Sequence, residues 1–235
     1  GDESRDFAYS IQQTSDGGYI VVGQTEPHLP DLAVGDTDVL LIKLDAQGDL
    51  DPVWEPSPKT LGGQGAQLAY CVQQTSDGGY ILGGVDGSGS ESGAYLIKLG
   101  STGNLDAAWG INPKTFVGRG SAWSIQETPD GGYIVTGCDG CGALVNADVY
   151  FIKVDSGGSL DAVWDPNPRT YDGGDWDYYA YSVQLTSDGG YVVAGGTKSF
   201  GAGRHDVLLL KLAPARQFLR GDCNSDGYSD GLTDA

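Results

Sequence analysis

The stretch "AYSIQQTSDGGY" at residues 8–19 decides the fold, because it comes back three times. It reads "AYCVQQTSDGGY" at 69–80, "AWSIQETPDGGY" at 122–133 and "AYSVQLTSDGGY" at 180–191. The aspartates of the four "DGG" turns, Asp16, Asp77, Asp130 and Asp188, are 61, 53 and 58 residues apart. A second block follows in every copy: "DVLLIKL" at 38–44, "GAYLIKL" at 93–99, "DVYFIKV" at 148–154 and "DVLLLKL" at 206–212. A third occurs three times: "LDPVWEPSPKT" at 50–60, "LDAAWGINPKT" at 105–115 and "LDAVWDPNPRT" at 160–170.

Each block reads as strand. "YSIQQT" alternates and is rich in β-formers, and "GYIVVGQT" follows it across "SDGG". In that turn an aspartate can accept from backbone amides and a glycine can take positive φ, so the two strands form a hairpin. "DVLLIKL" is a continuous apolar run, as in a strand covered on both faces. Its recurring lysine (Lys43, Lys98, Lys153, Lys211) is expected to snorkel outward. "NPKTF" reads as a shorter strand. No window shows a capped helical period.

About four strands in about 57 residues is the signature of a β-propeller blade, which must stack on neighbours to cover its faces. The expectation is an all-β, four-bladed propeller with repeats at about 8–60, 61–115, 116–170 and 171–220, and Trp54, Trp109 and Trp164 packed between blades, a sugar-binding platform being their alternative role. Gly1 aligns with Gly62, just past a "PKTL" strand, so copy one reads as lacking that strand. "RQFLR" at 216–220 is expected to replace it, closing the ring with strands from both chain ends in one blade. The same complementarity, satisfied in the next molecule instead, would give self-assembly.

Composition narrows the function. The chain has 235 residues, 39% of them hydrophobic, and 39 glycines for tight turns. Its net charge of −19 disfavours nucleic acid and anionic lipid as partners. No apolar run reaches the roughly 18 residues of a membrane span. It contains no methionine, which reads as a mature piece of a longer, secreted precursor, extracellular or at the cell surface. Cys138 and Cys141 have the two-residue spacing of redox and zinc motifs. No second close pair and no helix accompany them, so a loop disulfide or two free thiols is expected.

The repeat "SIQQTSDGGYIVVG…DVLLIKLD…G…W…KT" resembles repeat propellers of secreted and surface proteins of bacteria and archaea, over residues 8 to about 213. "TSDGG" looks like the Asp-box turn of other propellers, which implies a structural role for Asp16, Asp77, Asp130 and Asp188. The tail "RGDCNSDGYSDGLTDA" at 220–235 resembles the opening of a dockerin-type calcium repeat. That resemblance places Asp222, Asn224 and Asp226 at loop positions 1, 3 and 5. Gly227 falls at the sharp turn, Tyr228 at 7 and Asp230 at 9. Position 12 is Thr233, and the acid comes one later, at Asp234. The tail therefore reads as a truncated loop at 221–235 with calcium as its cofactor, either bulged by one residue or lacking its last ligand, the alternative being a flexible acidic tail. Its helices are absent, so cohesin binding is not carried over.

No catalytic constellation stands out. His28 and His205, the two histidines, sit in loops with no nucleophile motif beside them, and no phosphate loop opens a helix. The turn acids recur in all four copies, whereas an active site breaks repeat symmetry. The copy-specific loops at 26–37, 86–93, 139–147 and 198–205 are the better candidates. "YDGGDWDYY" at 171–179, with Asp172, Asp175, Trp176, Tyr178 and Tyr179, is the most aromatic and acidic loop. The expectation is a noncatalytic binding or assembly module, a filament subunit being its sharpest form, with protein or glycan as its partner. The alternative is a carbohydrate-active propeller enzyme, a glycosidase or lyase, with carboxylates on inter-strand loops.

Overall fold

The computed structural model describes residues 4–26, 37–88, 93–117, 120–139, 148–164, 167–171, 178–198, 206–212 and 218–220. They form an all-β fold of four antiparallel four-stranded sheets, consistent with a β-propeller. The first sheet holds β1 (Arg5–Gln13), β2 (Tyr19–Glu26), β3 (Asp38–Leu44) and β4 (Lys59–Leu61), in that order. The second holds β5 (Gln67–Gln74), β6 (Tyr80–Asp86), β7 (Gly93–Leu99) and β8 (Lys114–Val117). The third holds β9 (Ser124–Glu127), β10 (Tyr133–Asp139), β11 (Asp148–Val154) and β12 (Arg169–Tyr171). The fourth holds β13 (Tyr178–Leu185), β14 (Tyr191–Thr197), β15 (Asp206–Leu212) and β16 (Phe218–Arg220).

Each sheet starts from the same hairpin. In copy one the Gly17 amide donates to the Thr14 carbonyl, and the Gly18 amide donates to Asp16 Oδ1, both at 2.9 Å. Gly17 sits at φ 85, and its counterparts Gly78, Gly131 and Gly189 at 81, 79 and 80, the left-handed region where a Cβ is strained.

The core lies between sheets. Val39 and Leu41 face the second sheet, Ala94 and Leu96 the third, Val149 and Phe151 the fourth, all at 0% exposure. Trp54, Trp109 and Trp164 each pack edge-on against the tyrosine that opens the next sheet's second strand. Trp54–Tyr80, Trp109–Tyr133 and Trp164–Tyr191 have centroids 5.2, 5.8 and 5.8 Å apart. Such pairs add about 1 kcal/mol each beyond their buried area. Trp54 and Trp109 also donate their indole N–H to the carbonyls of Ser101 and Ser156.

The expected ring closure is corrected by the strand pairing. β16 pairs with β15, in the place that β4, β8 and β12 hold in their own sheets. The "PKT" strand belongs to the copy it follows, so copy one lacks nothing, and the end strand of the chain completes its own sheet. The flanks of the array are correspondingly bare. Val207 is 63% exposed where its counterparts are fully buried, and Ile11 is 64% exposed where Val72, Ile125 and Val183 are buried.

Candidate functional site

The two ends of the sheets differ. At the hairpin-turn end the copies are alike, because a single ion network repeats. Lys43 does not snorkel outward: its side chain is 1% exposed, and its ammonium meets Asp16 at 2.8 Å and Asp51 at 3.1 Å. Lys98 meets Asp77 and Asp106, and Lys153 meets Asp130 and Asp161, in the same way. An apolar sheet face leaves a stem nowhere to reach water, so the ammonium folds over the turn and satisfies itself there. The second acid also caps a one-turn 3-10 helix that ends on the tryptophan, Asp51 accepting from Val53 N and Asp106 from Ala108 N. In the fourth sheet Lys211 pairs with Asp188 at 2.7 Å and is 32% exposed.

These contacts hold the turn carboxyls below their ordinary range. For Asp16 the Lys43 hydrogen bond comes first, then Thr14, bringing it to about 2. At Asp130 burial works the other way, but bonds from Thr128 and Lys153 prevail and also bring it to about 2. Asp77 is lowered likewise, with burial again opposing Lys98 and Thr75. A carboxyl with a depressed folded-state pKa adds stability that is complete above its ordinary value of about 4 and is lost as pH falls through the folded value. The melting temperature is therefore expected to be level above about pH 5 and to fall between about pH 4 and 2. The carboxylates are more than half exposed, so each copy contributes little. A calorimetric melting temperature unchanged down to pH 2 would remove the network as the source of acid sensitivity.

At the opposite end, where the copy-specific loops leave the second strand and enter the third, the copies diverge. The facing residues are Thr25 and Asp38, Asp86 and Gly93, Asp139 and Asp148, Thr197 and Asp206. Asp86 is saturated: it accepts from Gln67, from the Ser88 amide and hydroxyl, and from Thr115. Asp139 Oδ1 and Asp206 Oδ2 are buried without a hydrogen-bond partner among the described residues. Burial first, then Asp86 and Asp38, pushes the Tyr95 hydroxyl up to about 12. Tyr150 is raised by burial and by Asp139, so both phenols stay protonated.

Between the two ends runs an aromatic row on the first strands. Register shifts at Ala8/Ser10, Ala69/Cys71 and Ala180/Ser182 leave Tyr9, Tyr70 and Tyr181 as the extra residue of a β-bulge. Trp123 holds the matching place before β9. Opposite each bulge stands a glycine: a Cβ on Gly23, Gly84, Gly137 or Gly195 would lie within 1.8 Å of a carbonyl oxygen. Tyr9 and Tyr70 have centroids 5.5 Å apart. Trp123, Tyr179 and Tyr181 form a second group at 5.3 to 6.1 Å, their planes within 10° of parallel.

Of the residues expected from sequence, Tyr179 joins this group, and Tyr178 opens β13. Cys138 is buried and disulfide-bonded, and Cys71 is free. Cys141, Asp172, Asp175, Trp176, the two histidines and the whole calcium loop (Asp222, Asn224, Asp226, Tyr228, Asp230, Asp234) lie outside the described residues. Among the described residues, no group of three histidines, cysteines or acids is placed to hold a metal. No described helix is long and apolar enough to cross a membrane. The aromatic column had a signal in the sequence, an aromatic between alanine and serine or cysteine in every copy, paired with a glycine four residues past each "GGY" tyrosine. Asp139 and Asp206 had none beyond their place at loop mouths.

No protein-family model and no curated protein matches the chain. Solved structures do. A thermostable family-43 glycoside hydrolase matches with a TM-score of 0.52 at 11% identity, over 95% of this chain and 74% of that one. The endo-arabinase of Bacteroides thetaiotaomicron matches with a TM-score of 0.50 at 10% identity, over 91% and 78%. At such identities the likeness defines a fold. It also corrects the expectation of a noncatalytic binding or assembly module, a filament subunit at its sharpest, that is not an enzyme. Both solved proteins put this fold to carbohydrate cleavage, so a propeller of like repeats is no argument against catalysis. Repeat symmetry sets aside only the turn acids; the mouths of the copy-specific loops, the better candidates from sequence, lie at the opposite end of the sheets.

Proposed function

We propose that this chain is a carbohydrate-active propeller enzyme, a glycosidase or lyase, whose four sheets are its blades and whose working acids stand at the loop end of the third and fourth. The observation that carries this is two carboxylate oxygens, Asp139 Oδ1 and Asp206 Oδ2, buried yet without a hydrogen-bond partner among the described residues. A buried acceptor without a donor is costly, and such groups gather where chemistry needs them. The likeness to two carbohydrate-cleaving enzymes supports the reading. Glycoside cleavage uses two carboxyl groups in opposite protonation roles. The test is release of reducing ends or unsaturated ends from a polysaccharide panel. Asp139→Asn and Asp206→Asn are each expected to lower the rate about 100-fold, with the melting temperature unchanged. No cleavage by the parent protein, or full activity in both variants, would overturn the reading.

The tail is proposed as a calcium loop, on its Asp-x-Asn-x-Asp-Gly spacing, and the chain as a secreted protein. Native mass spectrometry in calcium is expected to show one added ion, lost in Asp222→Ala with Asp226→Ala. An unmodified mass in saturating calcium would remove the proposal.

A further inference from the structure

We infer that the first strands of the third and fourth sheets hold an uncharged glycan chain, with Trp123, Tyr179 and Tyr181 as the plate on which one sugar ring lies. This rests on the carbohydrate-active reading and names its substrate class. The first argument is geometric. The aromatic pairs that only fill the core, Trp54–Tyr80, Trp109–Tyr133 and Trp164–Tyr191, meet edge-on at 63° to 84°. Trp123, Tyr179 and Tyr181 lie within 10° of parallel. Edge-on packing closes an interior, whereas a parallel stack ends in a flat outer face.

Exposure says the same. Tyr181 is 58% exposed, on a bulge whose extra residue the ladder does not use. A stacked but half-solvated ring held by a bulge has a surface to present, since packing alone would have buried it. A sugar ring has an apolar C–H face and a rim of hydroxyls, so it can lie on aromatic faces while its rim stays in water.

The ligand is a chain, because the row continues. Tyr9, 46% exposed, and Tyr70 occupy the same column in the first and second sheets, tilted 58° to each other, so they extend the row by exposure and position and not by a parallel stack. Tyr9 donates to Gln24 Oε1 at 2.7 Å, and Gln24 Nε2 donates to Glu26 Oε1 at 2.9 Å, which fixes the ring's direction at the surface.

The glycan is uncharged because the protein carries a net charge of −19. A polyuronate would approach against that field. Three ammoniums that could offset it, Lys43, Lys98 and Lys153, are locked in ion pairs at the far end of the sheets. A lyase removes the proton beside a uronate carboxylate, which a neutral glycan lacks. Cleavage is then hydrolysis: the glycosidic C–O bond breaks, the hydroxyl of water goes to the sugar carbon and its proton to the leaving oxygen.

The test is affinity electrophoresis of the full chain in gels containing linear arabinan, xylan, mixed-linkage glucan or polygalacturonate, at low salt. At least one neutral polymer is expected to retard the protein, and polygalacturonate is not. Tyr181→Ala and Trp123→Ala are each expected to weaken retardation about tenfold, and Tyr181→Phe, which keeps the ring, to leave it unchanged. Tyr181 is exposed enough for its variants to fold, and melting curves check this. Retardation by polygalacturonate equal to that by the neutral polymers overturns the substrate class. Retardation by none overturns the inference whole, and neutral retardation indifferent to both alanine variants overturns the plate. Neutral retardation that the alanine variants weaken, with no cleavage by the parent protein, supports the plate and overturns the enzymatic reading alone.

Discussion

Lys98→Ala is expected to lower the melting temperature by about 6–12 °C, the equivalent of about 3 kcal/mol at about 2–4 °C per kcal/mol for a chain of this size. The lysine is 2% exposed, and its ammonium bonds Asp77 Oδ2 at 2.8 Å and the Leu99 carbonyl at 3.2 Å, with Asp106 Oδ2 at 3.6 Å. Removing the cation leaves two carboxylates facing each other and a void where the stem ran. Breaking a buried pair costs about 3–5 kcal/mol when the orphan stays buried. The lower end applies here, because the Asp77 side chain is 56% exposed and water can take over part of the lysine's role. Lys98→Met keeps the stem and loses the charge, and its smaller cost, about 2 kcal/mol, separates the ionic share from the packing share. Lys211→Ala removes a lysine already 32% exposed, and is expected to shift the melting temperature far less. Equal shifts for Lys98→Ala and Lys211→Ala in differential scanning calorimetry would sink the claim that burial decides the effect.

That lysine shows what the sequence could and could not disclose. Its recurrence was legible, and so were the hairpins, the apolar third strand, the short "PKT" strand and the tryptophans between sheets, because each is a local pattern repeated several times. Its direction was not. Whether a long cation turns toward water or folds over a neighbouring turn depends on whether its sheet face is covered, and on Asp51 and its counterparts being brought back beneath it by the connection after the third strand. Nothing in "LIKL" carries that. Strand ownership failed for a related reason: aligning Gly1 with Gly62 shows that a strand precedes copies two to four, but not which sheet it pairs with. The loop end was hidden more deeply. Asp139 and Asp206 are ordinary acids in an acidic chain, and only the fold shows that one oxygen of each is buried without a donor while Asp86 has four.

The aromatic column leads to the other large effect. Gly84→Ala is expected to cost about 3 kcal/mol, the upper range for forcing atoms into a packed site, and to lower the melting temperature by about 6–12 °C. A Cβ there would sit 1.7 Å from the Leu68 carbonyl oxygen and 2.9 Å from the Ala69 Cα, both backbone atoms that no side-chain rotation can move. The close approach exists because the bulge between Ala69 and Cys71 pushes the first strand toward the second as it turns Tyr70 out. Gly84 also accepts from the Ala122 amide of the next sheet at 2.9 Å, so a shift there loosens the joint between sheets as well. The strain can be relieved only by flattening the bulge, and that withdraws Tyr70 from the row. Gly84→Ala should therefore change the near-ultraviolet circular dichroism of the tyrosines below the melting transition as well as lower stability. Gly63→Ala, with no neighbouring atom within 4 Å of the new Cβ, is the matched control and is expected to stay within about 0.5 kcal/mol of the parent. If Gly84→Ala melted like Gly63→Ala, the glycine would be a turn-rich composition's accident. If it melted low with an unchanged aromatic spectrum, the bulge would be dispensable to the row, and the link from repeat motif to binding surface would fail at that step.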